Sequence, residues 1–254
     1  MNQPRISQLK TWEEHEELVL EVLVKALLLL RDISDIKEDE DLVSRELLFC
    51  IREVNAHLLG LGRGIPYPIV PQGQNPPHAD DKLPAPREKK KPDFYWAMID
   101  PLEPNPRRRE RQFVIECKRL GRPTSPKWIL NQNYVQHGIL RFIKEEHGYA
   151  KDEKSAVMVG YIQNMRFDDI LQEVNNAISS IASIEAFVLA APVEGWQEKG
   201  ISRLDHTLTR SLSSLPLFLQ HLWIDLRDCY IAVSSESLSN IPIKQTAGKT
   251  SVDS

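Results

Sequence analysis

The chain has 254 residues, 41% hydrophobic and 27% charged, and a formal net charge of −4. This is enough chain to bury a substantial core, with the composition of a soluble globular protein. The weakly acidic balance rules out nucleic-acid binding by overall charge, so a polyanionic partner has to be met by a local basic patch.

Two helical patterns come first. Leu18, Val22, Leu23, Ala26, Leu27 and Leu30 recur at helical spacing and predict a helix from about Trp12 to Leu30. Its greasiest stretch, Leu18 to Leu30, is too short to span a bilayer and carries Glu21 and Lys25. After an acidic link, Ser34 to Asp41, a second stripe of Val43, Leu47, Cys50, Ile51, Val54 and Leu58 predicts a helix over about Leu42 to Leu59, ended by Gly60 and Gly62. Nine prolines and glycines crowd into Gly64 to Pro86, the composition of a long functional or disordered loop.

Strand signals follow at Asp93 to Ile99 and at Gln112 to Arg119, joined by a turn-rich connection, Pro101 to Arg111. A long amphipathic helix is expected from about Lys127 to Glu146, strands at Ala156–Ile162, Glu185–Ala191 and His221–Leu226, and a helix from Phe167 to Ala182. Helices alternating with central strands argue for an α/β layered domain with both sheet faces covered. We expect one domain over residues 1–233, comprising helices over 12–59, a Pro-rich loop over 63–91 and a core over 92–233. A polar, disordered tail is expected over 234–254. Cys50, Cys117 and Cys229 show no CxxC pairing and fit a reducing interior. With no signal-peptide pattern at Met1 to Arg5, the expected location is cytoplasmic, with no membrane contact.

Five Asp/Glu-x-Lys triplets occur, of which only Glu116-Cys117-Lys118 ends a strand, Phe113-Val114-Ile115. Side chains alternate across a strand, so Glu116 and Lys118 share a face and present a carboxylate and an ammonium side by side. By itself the triplet is as well explained by a surface ion pair. Pro92, unable to donate to a ladder, opens the preceding strand and sets Asp93 at its start. Antiparallel pairing of the two strands would bring Asp93 close to Glu116. The two carboxylates and the Cys117 backbone carbonyl then form an oxygen site for Mg²⁺ or Mn²⁺. Such a metal lowers the pKa of bound water, and Lys118 is placed to orient or deprotonate that water or to stabilise the transition state.

With Pro92-Asp93 and Glu116-Cys117-Lys118, the chain resembles the PD-(D/E)xK nuclease superfamily, over roughly Leu42 to Ile162. The resemblance implies a restriction-endonuclease-like three-layer core, a mixed central sheet flanked by helices, and metal-dependent hydrolysis of nucleic-acid phosphodiesters. DNA is favoured over RNA, and a place in bacterial or phage restriction or defence fits. It also implies an acid from an upstream helix, for which Glu46, on the edge of the second stripe, is preferred and Glu53 is the alternative. Gln132 and Tyr134 become candidates for positioning metal, water or phosphate, although Tyr134 fits a packing role equally well.

Arg87 to Lys127 holds twelve Lys/Arg against six Asp/Glu. Lys89, Lys90, Lys91, Arg107, Arg108, Arg109 and Arg119, with Tyr134, are the expected nucleic-acid contacts. A homodimer or a regulatory protein partner is left open. The alternative from another class is a non-catalytic nucleic-acid-binding or scaffolding subunit on the same fold.

Overall fold

The computed structural model describes residues 11–77, 81–181 and 199–230. Helix α1, Trp12–Arg31, starts at a capping box in which the Glu14 amide donates to Thr11 Oγ1 and the Thr11 amide donates to Glu14 Oε2. Helix α2, Glu40–Gly60, is capped by Asp39, whose side chain accepts from the Leu42 amide at 3.0 Å. It therefore begins two residues earlier than the apolar stripe suggests, and that offset places Glu40 in its first turn.

The residues expected as a single long loop contain a short edge strand, β1, Ile69–Pro71. It pairs antiparallel with β2, Phe94–Ile99, which pairs antiparallel with β3, Glu110–Leu120. Strand β4, Ser155–Ile162, lies parallel to β3 and is buried at every position, as befits a central strand between parallel neighbours. After helix α4, Phe167–Ser179, come β5, Ile201–Leu208, and β6, Leu217–Asp225. Strand β6 runs parallel to β4, and β5 closes the edge antiparallel to β6. The result is a six-stranded mixed sheet in the order β1-β2-β3-β4-β6-β5, flanked by helices.

The two faces have separate cores. Phe113, Ile115 and Cys117 of β3 pack with the apolar stripes of α1 and α2, whereas Val114 and Leu120 join Tyr134, Met158, Ile170 and Val174 on the other face. The helix expected from Lys127 to Glu146 is broken. Helix α3 covers only Leu130–Gln136, and a 3₁₀ turn, Ile139–Phe142, follows. Gly138 is the reason. A Cβ there would lie 2.3 Å from the Tyr134 carbonyl oxygen and 2.5 Å from Met158 Cε, so the chain bends where only glycine fits.

The strand expected at Glu185–Ala191 and the tail over 234–254 lie outside the described residues. Among the described residues no helix is long and apolar enough to cross a membrane.

Candidate active site

Strand β2 ends its pairing with β3 at Phe94, which lies opposite Ile115, while β3 runs on to Leu120. Beyond that point, among the described residues, the β3 edge has no strand neighbour on the β2 side. Its backbone groups there are met by side chains instead. The Cys117 amide donates to Asp93 Oδ2 at 2.7 Å, and the Arg119 amide donates to Glu40 Oε2 at 3.1 Å. The Cys117 carbonyl accepts from Lys118 Nζ at 2.6 Å. A fork between two strands thus becomes a polar pocket because buried backbone groups need partners.

The Lys118 ammonium sits at the centre of the fork. Around it lie Cys117 O at 2.6 Å, Glu40 Oε1 at 2.8 Å, Glu116 Oε1 at 3.0 Å and Asp93 Oδ2 at 3.6 Å. Four oxygens from α2, the start of β2 and β3 converge on one cationic atom. Arg141, from the 3₁₀ turn after α3, pairs with the same Glu116 oxygen. Glu116 is fully buried, and the openings to solvent run past Asp93 (20% exposed), Arg141 (26%) and Glu40 (30%).

Burial pushes the Glu116 carboxyl up to about 8, with the Asp93 charge adding to the rise and Lys118 and Arg141 opposing it. Burial also raises Asp93, against the pull of Lys118 and the Cys117 amide. Burial disfavours the Lys118 ammonium, but Glu116, Asp93 and Glu40 outweigh it and hold its pKa above the ordinary value.

Among the described residues no three His, Cys, Asp or Glu side chains form a ready-made metal cage. The oxygens are gathered at ammonium distances, well beyond the roughly 2.0–2.1 Å of a Mg–O bond. Even so, the donor set fits a hard divalent ion, which takes one or two carboxylates and a carbonyl and keeps its waters. Glu116 Oε2 is buried without a hydrogen-bond partner, an orphan acceptor of the kind that a cation would satisfy.

Asp93, Glu116, Lys118 and the Cys117 carbonyl are brought together at the fork, but other expected residues are not. The acid that reaches the fork from α2 is Glu40, not Glu46 or Glu53. Glu46 lies six residues further along α2, about 9 Å away at 1.5 Å per residue, and pairs with Arg45 at 2.7 Å; Glu53 is exposed. Tyr134 is completely buried, its hydroxyl bonded to His221 Nδ1 at 2.7 Å and accepting from Trp223 Nε1 at 2.9 Å, which rules out nucleic-acid contact. Gln132 lies exposed on α3, and no hydrogen bond ties it to the fork.

Lys89, Lys90 and Lys91 lead directly into Asp93, with Lys89 and Lys91 exposed. Arg107, Arg108 and Arg109 sit at the far tip of the β2–β3 hairpin, about 20 Å along β2 from Asp93 at 3.3–3.4 Å per residue. Arg119 is occupied bracing α2, its Nη1 donating to the Glu38 carbonyl at 2.8 Å.

Glu40 and Arg141 were not anticipated. An acid in a helix's first turn is ordinarily explained by the helix dipole, although the Asp39 cap did mark where α2 begins. Arg141 falls inside the pattern that predicts one helix from Lys127 to Glu146, and Gly138 within that pattern is the signal of a bend. No protein-family model matches the chain, and neither a curated protein nor a solved structure matches it.

Proposed function

We propose that the protein is a metal-dependent nuclease of the PD-(D/E)xK type on a restriction-endonuclease-like core, hydrolysing nucleic-acid phosphodiesters with DNA favoured. The observation that carries this reading is the convergence of four oxygens on Lys118 Nζ beside the orphaned Glu116 Oε2. Three carboxylates face one ammonium and one guanidinium there, so the cluster has room for a further cation to offset its charge.

Asp93, Glu116 and the Cys117 carbonyl would hold Mg²⁺ or Mn²⁺, with Glu40 completing the set. Bound there, the ion supplies Lewis acidity and lowers the pKa of a water. The Asp93 carboxylate is fixed by the Cys117 amide, so it enters the site in one orientation. Lys118 is an ammonium at neutral pH, because its acidic neighbours keep it protonated. It therefore acts as a hydrogen-bond donor that orients the attacking water and offsets charge on the phosphoryl oxygens. Arg141, partly open to solvent, faces the entering phosphate with a second fixed positive charge.

A panel of supercoiled, linear and single-stranded DNA and RNA, incubated with Mg²⁺, Mn²⁺ or EDTA beside the Lys118→Ala protein, tests the reading. Cleavage that needs the metal and disappears in the variant supports it. Cleavage that persists in EDTA or in the variant refutes it.

A further inference from the structure

Strand β3 ends at Leu120, two residues past Lys118, and the chain then forms an exposed loop over residues 122–128. The end of this loop is held firmly. The Trp128 amide donates to the Ser125 carbonyl at 3.0 Å, and the Thr124 amide donates to the Trp128 carbonyl at 3.1 Å. Pro126 occupies the second position of the turn, where its fixed φ is already suited. An ordered turn of this kind leaves Trp128 48% exposed. Large aromatic rings bury much apolar area when they can, so an indole held half-exposed by an ordered turn is available to a partner's apolar face.

Trp128 lies nearly parallel to the His137 ring, with centroids 6.3 Å apart and 12° between the planes. His137 caps the C-terminal end of α3, and its neighbour Gly138 lies against the catalytic lysine, a Cβ there falling 3.3 Å from Lys118 Cγ. Arg141, three residues further, contacts Glu116. Beside these residues lies a cleft of about 390 Å³ whose lining includes His137, Arg141, Lys144, Glu146 and His147. Arg122 and Lys127 stand exposed on the Trp128 loop. Burial, with the charges of Arg141, Lys118 and Lys144, lowers the His137 pKa, so at neutral pH the ring is an uncharged aromatic. An aromatic pair with cations on both sides therefore borders the fork.

We propose that Trp128, backed by His137, is a stacking platform for an unpaired nucleobase beside the scissile phosphate, which makes single-stranded nucleic acid the substrate class. This rests on the nuclease reading. In a duplex the base faces are already stacked and only their edges are on offer, so an indole at this place has nothing to take. A single strand supplies free base faces to aromatic rings and phosphates to nearby Lys and Arg.

The test measures binding of a fluorescent 15-mer of thymidylate by anisotropy, in EDTA and low salt, against an all-abasic 15-mer and a 15-bp duplex. The two single strands carry the same phosphates, so their difference isolates the bases. The thymidylate strand is expected to bind at least about tenfold tighter than the abasic one, a difference of about 1.4 kcal/mol and within the range for one stacked base. Trp128→Ala should erase that difference and Trp128→Phe should retain most of it. Equal affinity for the two single strands, preference for the duplex, or no effect of Trp128→Ala overturns the proposal. Because binding is read without metal, it is separable from catalysis. Base-dependent binding without cleavage in Mg²⁺ or Mn²⁺ would leave the platform and remove the nuclease. Cleavage without base-dependent binding would do the reverse.

Discussion

Replacing Lys118 by Met removes the cation around which Glu116, Asp93 and Glu40 are assembled and keeps the aliphatic stem that lies against Gly138. Glu40 and Asp93 are partly exposed, so solvent screens their share. The Glu116 contact, 3.0 Å and fully buried, dominates the loss. Breaking a buried pair from one side costs about 3–5 kcal/mol, and the lower end applies here because Arg141 remains on Glu116. For a chain of this size about 3 kcal/mol is a fall in Tm of roughly 6–12 °C. The deficit should grow with pH. Lys118 is one of the groups that hold the Glu116 pKa down to about 8, so without it the carboxyl titrates higher still, and the variant loses more stability than the wild type as pH rises through 8. The assay is thermal unfolding of metal-free wild type and Lys118→Met at pH 6 and pH 9, repeated with Mn²⁺. The ammonium and the divalent ion compete for the same oxygens. Mn²⁺ should therefore stabilise the variant more than the wild type; at a hundred times the variant's own Kd its gain is about 2.7 kcal/mol. Equal metal-free stability at pH 9, or a smaller Mn²⁺ effect in the variant, would refute the reasoning.

Three further outcomes are expected. Arg141→Ala should slow single-turnover cleavage by about 10²-fold, as loss of one preorganised donor does, with partial recovery in Arg141→Lys; an unchanged rate would reduce Arg141 to a structural partner of Glu116. Gly138→Ala should destabilise the fold by about 1–3 kcal/mol in urea unfolding, because its Cβ meets a backbone carbonyl at 2.3 Å, and wild-type stability would mean that the bend relaxes freely. His206, bonded to His221 at 2.8 Å, has its pKa lowered by burial to about 3, and His221 is lowered by burial and by His206. Both favour folding while neutral and lose that support as pH falls below about 6.5, which for His206 is about 2 kcal/mol by pH 5. A urea midpoint that does not fall between pH 7.5 and 5, or falls as steeply in His206→Gln, would contradict this.

The sequence made the two strands of the fork legible because their signals are local. Pro92 marks the start of β2, the apolar run before Glu116 marks β3, and antiparallel pairing alone brings Asp93 to the fork. Glu40 and Arg141 could not be found that way, since each reaches the site through the packing of a helix against a strand end. Strand β5 escaped for a different reason. Its inward positions include Ser202 and His206, buried yet polar, so the hydrophobic period of two is missing. Trp128 offered nothing but its residue type until the turn showed it exposed. For Tyr134, where a site role and a packing role fit the sequence equally well, burial among His221 and Trp223 decides for packing.

The most direct measurement is the rate of cleavage of an end-labelled oligonucleotide by wild type and by Glu116→Gln, in Mg²⁺, in Mn²⁺ and in EDTA. The glutamine preserves size and burial and removes the charge. Cutting by the wild type only with metal, reduced at least about a hundredfold in Glu116→Gln, is the expected result. A wild type that cuts neither DNA nor RNA with either ion, or a glutamine variant that cuts as fast, would contradict a metal-dependent nuclease centred on Asp93, Glu116 and Lys118.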